Sequence, residues 1–214
     1  MVTQRTKAIC IVWGLVLNAA LSAQPIERLP VPHRAAQSQA IEKIRKLFKD
    51  DYASADATVH VELARKLLQI VQTEKDPAVK FGLLREALDL SAKSGAVDTA
   101  FAAGQRLTST FQLDPLAIKA YTVTSLGKSA KTAEEAQVVA ESCVQLAQEQ
   151  MAQAQFSSAK TTIAQGIHLA KRARSAPLAA KLQELKQQLS KVTAEYAQTN
   201  AARETLKTNP EDPA

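Results

Sequence analysis

Three times along the chain an aspartate stands directly before a proline: Asp76-Pro77, Asp114-Pro115 and Asp212-Pro213. An aspartate at an N-cap accepts a hydrogen bond from a free amide of the first turn. Proline suits the position after it, because the N–H it lacks would have no partner there. Each pair therefore predicts the opening of a helix just after the previous one has ended. Pro77 and Pro115 stand 38 residues apart, and Pro177 and Pro213 stand 36 apart. Spacings of about 34 to 40 residues belong to two-helix repeats stacked side by side. A plain helical bundle with coincidental spacing is the alternative.

Strand signals are almost absent. There is no Asn-Gly or Asp-Gly hairpin pair, and helix-favouring Ala, Leu, Gln, Lys and Glu dominate. Apolar residues at three- and four-residue spacing predict seven or eight helices. The first, 37–53, turns Ile41, Ile44, Leu47 and Phe48 inward. The second, 56–73, uses Val59, Leu63, Leu67, Ile70 and Val71. The third, from Asp76 to about Ser94, uses Phe81, Leu84, Leu88 and Leu90, and Gly95 stops it. The fourth, 97–110, carries Val97, Phe101 and Leu107; the fifth, 115–125, is closed by Gly127. The sixth, 132–153, uses Val139, Cys143, Leu146 and Met151. The seventh, 155–173, uses Phe156, Ala159, Ile163, Ile167 and Ala170, and Pro177 opens a long last helix to about Lys207. Gly82, Ala87, Ala100, Ala103 and Gly104 are small enough to let the third and fourth helices approach closely.

Residues 1–23 have the layout of an export signal: Arg5 and Lys7, an apolar stretch over 8–17, then the small residues "AALSA". The apolar run is short for a membrane span, which needs about 20 residues, so an uncleaved anchor is the secondary reading. Cleavage near Ala23 removes Arg5 and Lys7 and takes the formal charge from +6 to +4. That bias is too mild for a nucleic-acid footprint, and aromatics at 4% offer few stacking platforms. Cleavage also removes Cys10, leaves Cys143 as the one thiol, and so excludes an internal disulfide. Pro25, Pro30 and Pro32 mark 24–36 as an extended linker.

In "AQFSSAKTTIAQGIHLA" (154–170), Phe156, Ala159, Ile163 and Gly166 share one side, and the segment resembles the second half of a tetratricopeptide repeat. Several further stretches are "KIRKLFKDDYASA" (43–55), "LARKLLQ" (63–69), "DPAVKFGLLREALDLSAKSG" (76–95), "FQLDPLAIKA" (111–120) and "LKTNPEDPA" (206–214). In order along the chain, they resemble a helical module of exported, often multidomain planctomycete proteins. The resemblance implies a helical-repeat module; none of these stretches is a catalytic motif, so the likeness is nearly silent on activity. Because the Asn-Pro-x-Asp-Pro segment of such chains leads into further sequence, it also implies a shortened member or the front of a longer protein.

Candidate chemistry is sparse. His33, His60 and His168 stand far apart, and Asp56 with His60 gives at most two ligands, short of a closed zinc site; a capping Asp beside a surface His explains them. Cys143 sits on an apolar stripe and reads as a buried small hydrophobe. Asp50 and Asp51 are neighbours that point apart on a helix. No phosphate loop, nucleophile elbow, cofactor or metal site is expected. Two interaction signals remain. Lys171, Arg172, Arg174 and Lys181 either complement a helix dipole or form a patch for an acidic partner. Leu178, Leu182, Leu185, Leu189, Val192 and Tyr196 follow the alternating spacing of a helix-pairing seam, which fades at Thr199 and Arg203 before Leu206. It serves either packing onto the seventh helix or pairing between chains.

The expected fold is all-α: a right-handed stack of antiparallel helical hairpins, tetratricopeptide-like, with a long C-terminal helix. The expected organisation is a signal peptide (1–23), a linker (24–36), a helical-repeat domain (37–208) and a connector-like tail (209–214). The expected role is an exported scaffold for protein partners, periplasmic or extracellular. Nucleic acid is not expected as a partner, and the membrane only through an uncleaved leader. The chain is expected to be a monomer, with dimerisation through the last helix as the alternative. A structural or regulatory appendage of an enzyme domain encoded elsewhere is the second reading.

Overall fold

Asp76 and Asp114 cap as their proline neighbours predict. The Ala78 N–H donates to Asp76 at 2.7 Å and the Leu116 N–H to Asp114 at 2.9 Å. Asp56 caps in the same way through Thr58, and Thr132 and Glu135 close a reciprocal capping box. The structure, a computed structural model, describes residues 27–208, with Leu206 and Thr208 by backbone alone. The expected leader, the expected tail and the Asp212-Pro213 pair lie outside the described residues. Those described are all-α, with nine helices and no strand. The helices are α1 (Arg34–Leu47), α2 (Lys49–Ala53), α3 (Ala57–Ile70), α4 (Pro77–Lys93), α5 (Val97–Thr110), α6 (Pro115–Ser129), α7 (Ala133–Ala152), α8 (Phe156–Arg172) and α9 (Ala176–Thr208).

Three departures from the sequence reading have physical causes. The first expected helix is two, broken at Phe48, where the backbone leaves helical geometry. The break turns Leu47 out to 76% exposure, while Phe48 packs on the core beneath the Lys66 ammonium. Gly127 does not stop a helix; α6 runs through it to Ser129, and the glycine is buried against α8. The small residues bring α4 and α5 together as expected, with Ala87, Ala100 and Ala103 fully buried, but Gly82 and Gly104 also admit helices that the sequence pattern did not name. Gly82 lies 3.0 Å, as an added Cβ would measure it, from Ile44 of α1, and Gly104 lies 3.2 Å from Ile118 of α6.

The expected linker is extended but anchored. The Leu29 N–H donates to the Thr110 carbonyl and the Gln112 N–H to the Leu29 carbonyl, each at 2.8 Å, making an isolated parallel bridge to Phe111. The Gln112 side chain donates to the Arg28 carbonyl at 3.0 Å. Helix α1 then begins at Arg34, inside the segment expected to be linker.

Helix packing follows chain order. Each helix rests on the next, and α4 also meets α1 and α6, while α7 also meets α9. The result is a repeat-like series in which apolar faces are shared between neighbours. Leu67, Leu84, Leu88, Leu107 and Phe111 are fully buried near its centre, with Phe111 edge-on to Phe81 at 5.2 Å. Helix α4 is enclosed on almost every side between Phe81 and Ala92. Three turns use one C-terminal device. After α4, α7 and α8 the backbone enters left-handed geometry at Gly95, Ala154 and Arg174, and the next amide reaches back five residues.

One polar cluster is buried within this series. Glu86, 2% exposed on α4, accepts from the Arg45 guanidinium at 2.8 and 3.0 Å and from the Tyr52 hydroxyl at 2.6 Å. Burial and that carboxylate push the Tyr52 phenol well above its usual range. One turn along, Asp89 accepts from Tyr121 and Arg85, whose guanidinium lies over the Tyr121 ring. Nothing in the sequence pattern singled out Glu86.

Candidate partner-docking surface

The expected pairing seam divides in two. Leu182, Leu185 and Leu189 are buried, and Leu178 packs against the same core, so the first half holds α9 to α8 and α7. The contact is close because Gly166 of α8 lies at its centre. A Cβ there would stand 2.8 Å from Cys143 of α7 and 2.9 Å from Leu182 of α9. Val192 and Tyr196, the second half, stay 38% and 48% exposed. Leu206, where the seam resumes, has no described side chain.

The division follows from helix length. Helix α8 has 17 residues and α9 has 33, about 25 and 50 Å at 1.5 Å per residue. They run antiparallel, and Phe156 at the start of α8 meets Tyr196 edge-on at 5.2 Å. Beyond that pair α9 continues past the end of α8. Between the two helices, below the aromatic pair, lies a cleft of about 750 Å³. Phe156, Leu189, Ala194 and Ala197 give it an apolar lining. The hydroxyls of Ser157, Ser190 and Thr193 edge it, and Thr193 is already bonded to the Leu189 carbonyl. Lys160 and Lys186 are its charged residues; both are exposed, and among the described residues no carboxylate pairs with either. Helix α8 also starts without a side-chain cap and without an acidic residue in its first turn, so its positive end adds to the lysines.

A comparable fissure opens where α5 faces α6 and α7. Its two lobes, about 320 and 400 Å³, share Phe101 and Lys119. Lys119 is already paired with Glu149 at 2.7 Å and Asp98 also lines the opening, so it carries no excess of positive charge.

The expected basic cluster sits at the opposite end of the α8–α9 hairpin. Lys171 and Arg172 lie in the last turn of α8, Arg174 in the turn itself and Lys181 in the early part of α9. Arg172 donates to the Gly127 and Ala130 carbonyls, the unpaired acceptors at the end of α6, and so has a structural task. Arg174 occupies the left-handed turn position. Lys171 and Lys181 are exposed, with no ion pair to either among the described residues.

The candidate chemical residues are dispersed. Cys143 is buried, and burial pushes its thiol up to about 12. His33 precedes α1, His168 is exposed on α8, and His60 is half-buried on α3 with Nε2 enclosed and without a partner. The surface position expected for His60 is therefore corrected to a half-buried one. Among the described residues no group of three or more metal-binding side chains comes together, and no helix is long and apolar enough to cross a membrane. Compared with protein-family models, curated proteins and solved structures, the chain matches nothing.

Proposed function

We propose that this chain is an exported, non-enzymatic scaffold that docks protein partners along its α8–α9 hairpin. The observation that carries this reading is the divided seam. A helix that needed only to pack on its neighbours would end where they end, whereas α9 continues, edged by an apolar cleft with unanswered charge. The finer architecture belongs to the same proposal: a right-handed stack of antiparallel hairpins, tetratricopeptide-like, in which single hairpins lean on one another. Export rests on the composition of residues 1–23, and the likeness to planctomycete modules fits an envelope setting.

A photo-crosslinking residue at Ala197, in the cleft, tests the docking role in the native host. The expected outcome is one discrete adduct, identified by mass spectrometry and absent when the same residue replaces Glu62 on α3. Identical adducts from both positions overturn the reading. Protease digestion of intact and permeabilised cells tests export, with protection in intact cells of an outer-membrane-bearing host expected. A second reading, an appendage coupled to an enzyme domain encoded elsewhere, is favoured by the projection of α9, which would serve as a rigid strut. An adjoining reading frame whose product co-purifies with the chain would promote it.

A further inference from the structure

We infer that the α8–α9 cleft takes an acidic amphipathic helix. This rests on the docking role proposed above and names the chemistry of its partner.

The backbone argues for a helix. Both walls are α-helices whose amides and carbonyls are bonded within the helix, and the described residues contain no strand. An extended peptide gains affinity by pairing with a free sheet edge, which neither wall offers. A helix brings its own backbone bonds and needs a groove lined by small and apolar side chains. Ala194 and Ala197, small and one turn apart on α9, let a third helix come within the usual interaxial distance of about 8 to 10 Å. Leu189 and Phe156 then form the floor for its apolar stripe.

The charge argues for acidic flanks. Lys160 lines the cleft from one wall and Lys186 from the other, neither with a carboxylate partner among the described residues, and the uncapped start of α8 adds positive potential to the same end. A partner helix with glutamates beside its apolar stripe meets both lysines, and a basic one is repelled. The same charges argue against a second copy of this chain. Between residues 186 and 208, α9 carries four cations against two carboxylates, so another α9 would bring its positive charge to a positive cleft.

The test is fluorescence anisotropy of three labelled peptides against the purified full chain. Each peptide has about 18 residues and the same leucine stripe at heptad spacing, with glutamate, glutamine or lysine beside it. The glutamate peptide is expected to bind about three- to tenfold more tightly than the glutamine peptide, the size of effect two half-exposed ion pairs provide. The lysine peptide is expected to bind more weakly than either. The preference is expected to shrink as salt rises from about 50 to about 300 mM. The double variant Lys160→Glu/Lys186→Glu is expected to reverse the order. Ala194→Trp, an exposed position, is expected to weaken all three peptides while circular dichroism stays native. Equal binding of the three peptides, all sensitive to Ala194→Trp, overturns the acidic partner and leaves the docking role standing. Failure of every peptide overturns both. A dimer in light scattering that Ala194→Trp dissolves also overturns the inference, because the occupant is then a second copy.

Discussion

Helices α4 and α9 are built from similar residues and have opposite fates. Helix α4 is wrapped by α1, α3, α5 and α6, and even its carboxylate Glu86 is sealed in and answered by Arg45 and Tyr52. Helix α9 is held along one stripe, through Leu182, Leu185 and Leu189, and then leaves its neighbours with Val192 and Tyr196 exposed. A helix enclosed on every side has its chemistry committed to the fold. One held by a single stripe keeps a free face, and in this chain the free face adjoins the open cleft. The most enclosed part of the core and the proposed docking face are therefore placed at different ends of the series.

The largest effects should separate the two ends. Asp at Leu88, fully buried on α4, puts an unpaired charge at the crossing of several helices, which costs at least about 4 kcal/mol. Leu88→Asp is expected to abolish the cooperative melt by circular dichroism. Leu185→Asp carries a similar local penalty, but its contacts lie on α7 and α8 alone. Hydrogen exchange is expected to show α9 and the facing surface of α8 losing protection while α3–α5 keep theirs. Uniform loss along the whole chain would erase the distinction between the ends.

Next in size is the polar cluster. Arg45→Ala removes the bidentate partner of a carboxylate that is 2% exposed, leaving Tyr52 alone to answer it. Because the Arg45 side chain is itself 57% exposed, the expected loss is moderate, about 2 to 3 kcal/mol. Lys119→Ala breaks a shorter contact, 2.7 Å, between two side chains that are 46% and 42% exposed, and its expected cost is under about 0.5 kcal/mol. Urea midpoints of the two variants check the ratio. Equal losses would mean that the burial of Glu86 is not what makes its pairing matter.

What was legible in the sequence was local. The Asp–Pro openings at Asp76 and Asp114 and the stop at Gly95 depend on residues a few positions apart, and periodicity placed Leu63, Leu84, Leu107, Ile163 and Leu185 inward. What was not legible depends on partners far along the chain. Glu86 is buried because Arg45, 41 residues earlier, reaches it, and no helix pattern carries that information. Leu29 is docked because the turn at Phe111 presents a free carbonyl and amide. Gly82 and Gly104 were recognised as points of close approach, but α1 beside Gly82 and α6 beside Gly104 were not foreseen, because a missing Cβ does not name its neighbour. The seam from Leu178 to Tyr196 was read in full. Its division was not, since where α8 ends beside α9 is a fact of tertiary structure, and so the cleft lined by Lys160 and Lys186 was missed.

An effect smaller than that at Arg45 concerns the left-handed turns. Gly95 occupies this geometry without cost after α4, whereas Ala154 and Arg174 hold it after α7 and α8 with φ near 55°. A side chain in that region costs about 1 to 2 kcal/mol, and glycine returns part of the gain through its freer unfolded state. Ala154→Gly is therefore expected to stabilise the chain by about 0.5 to 1 kcal/mol, seen as a small rise in melting temperature. A fall would mean that the Ala154 methyl group packs against something the turn needs.

The smallest expected effect lies at the start of α7, midway between the two ends. The Glu135 carboxylate accepts from the backbone amides of Lys131, at 2.5 Å, and Thr132, at 3.2 Å, and these bonds hold its pKa below the usual carboxylate value. The folded state therefore binds this proton less readily than the unfolded chain does. Its contribution to stability is complete above the ordinary carboxylate pKa of about 4.3 and is lost as pH falls through the lower folded value. Glu135→Gln keeps the shape but removes the titration, so the variant is expected to be less stable than the parent at neutral pH and to converge with it in acid. Melting temperatures of both chains across that range check the sign. Because Glu135 is largely solvated, the difference should be the least of those named, and convergence toward high pH instead would reverse the assigned cause.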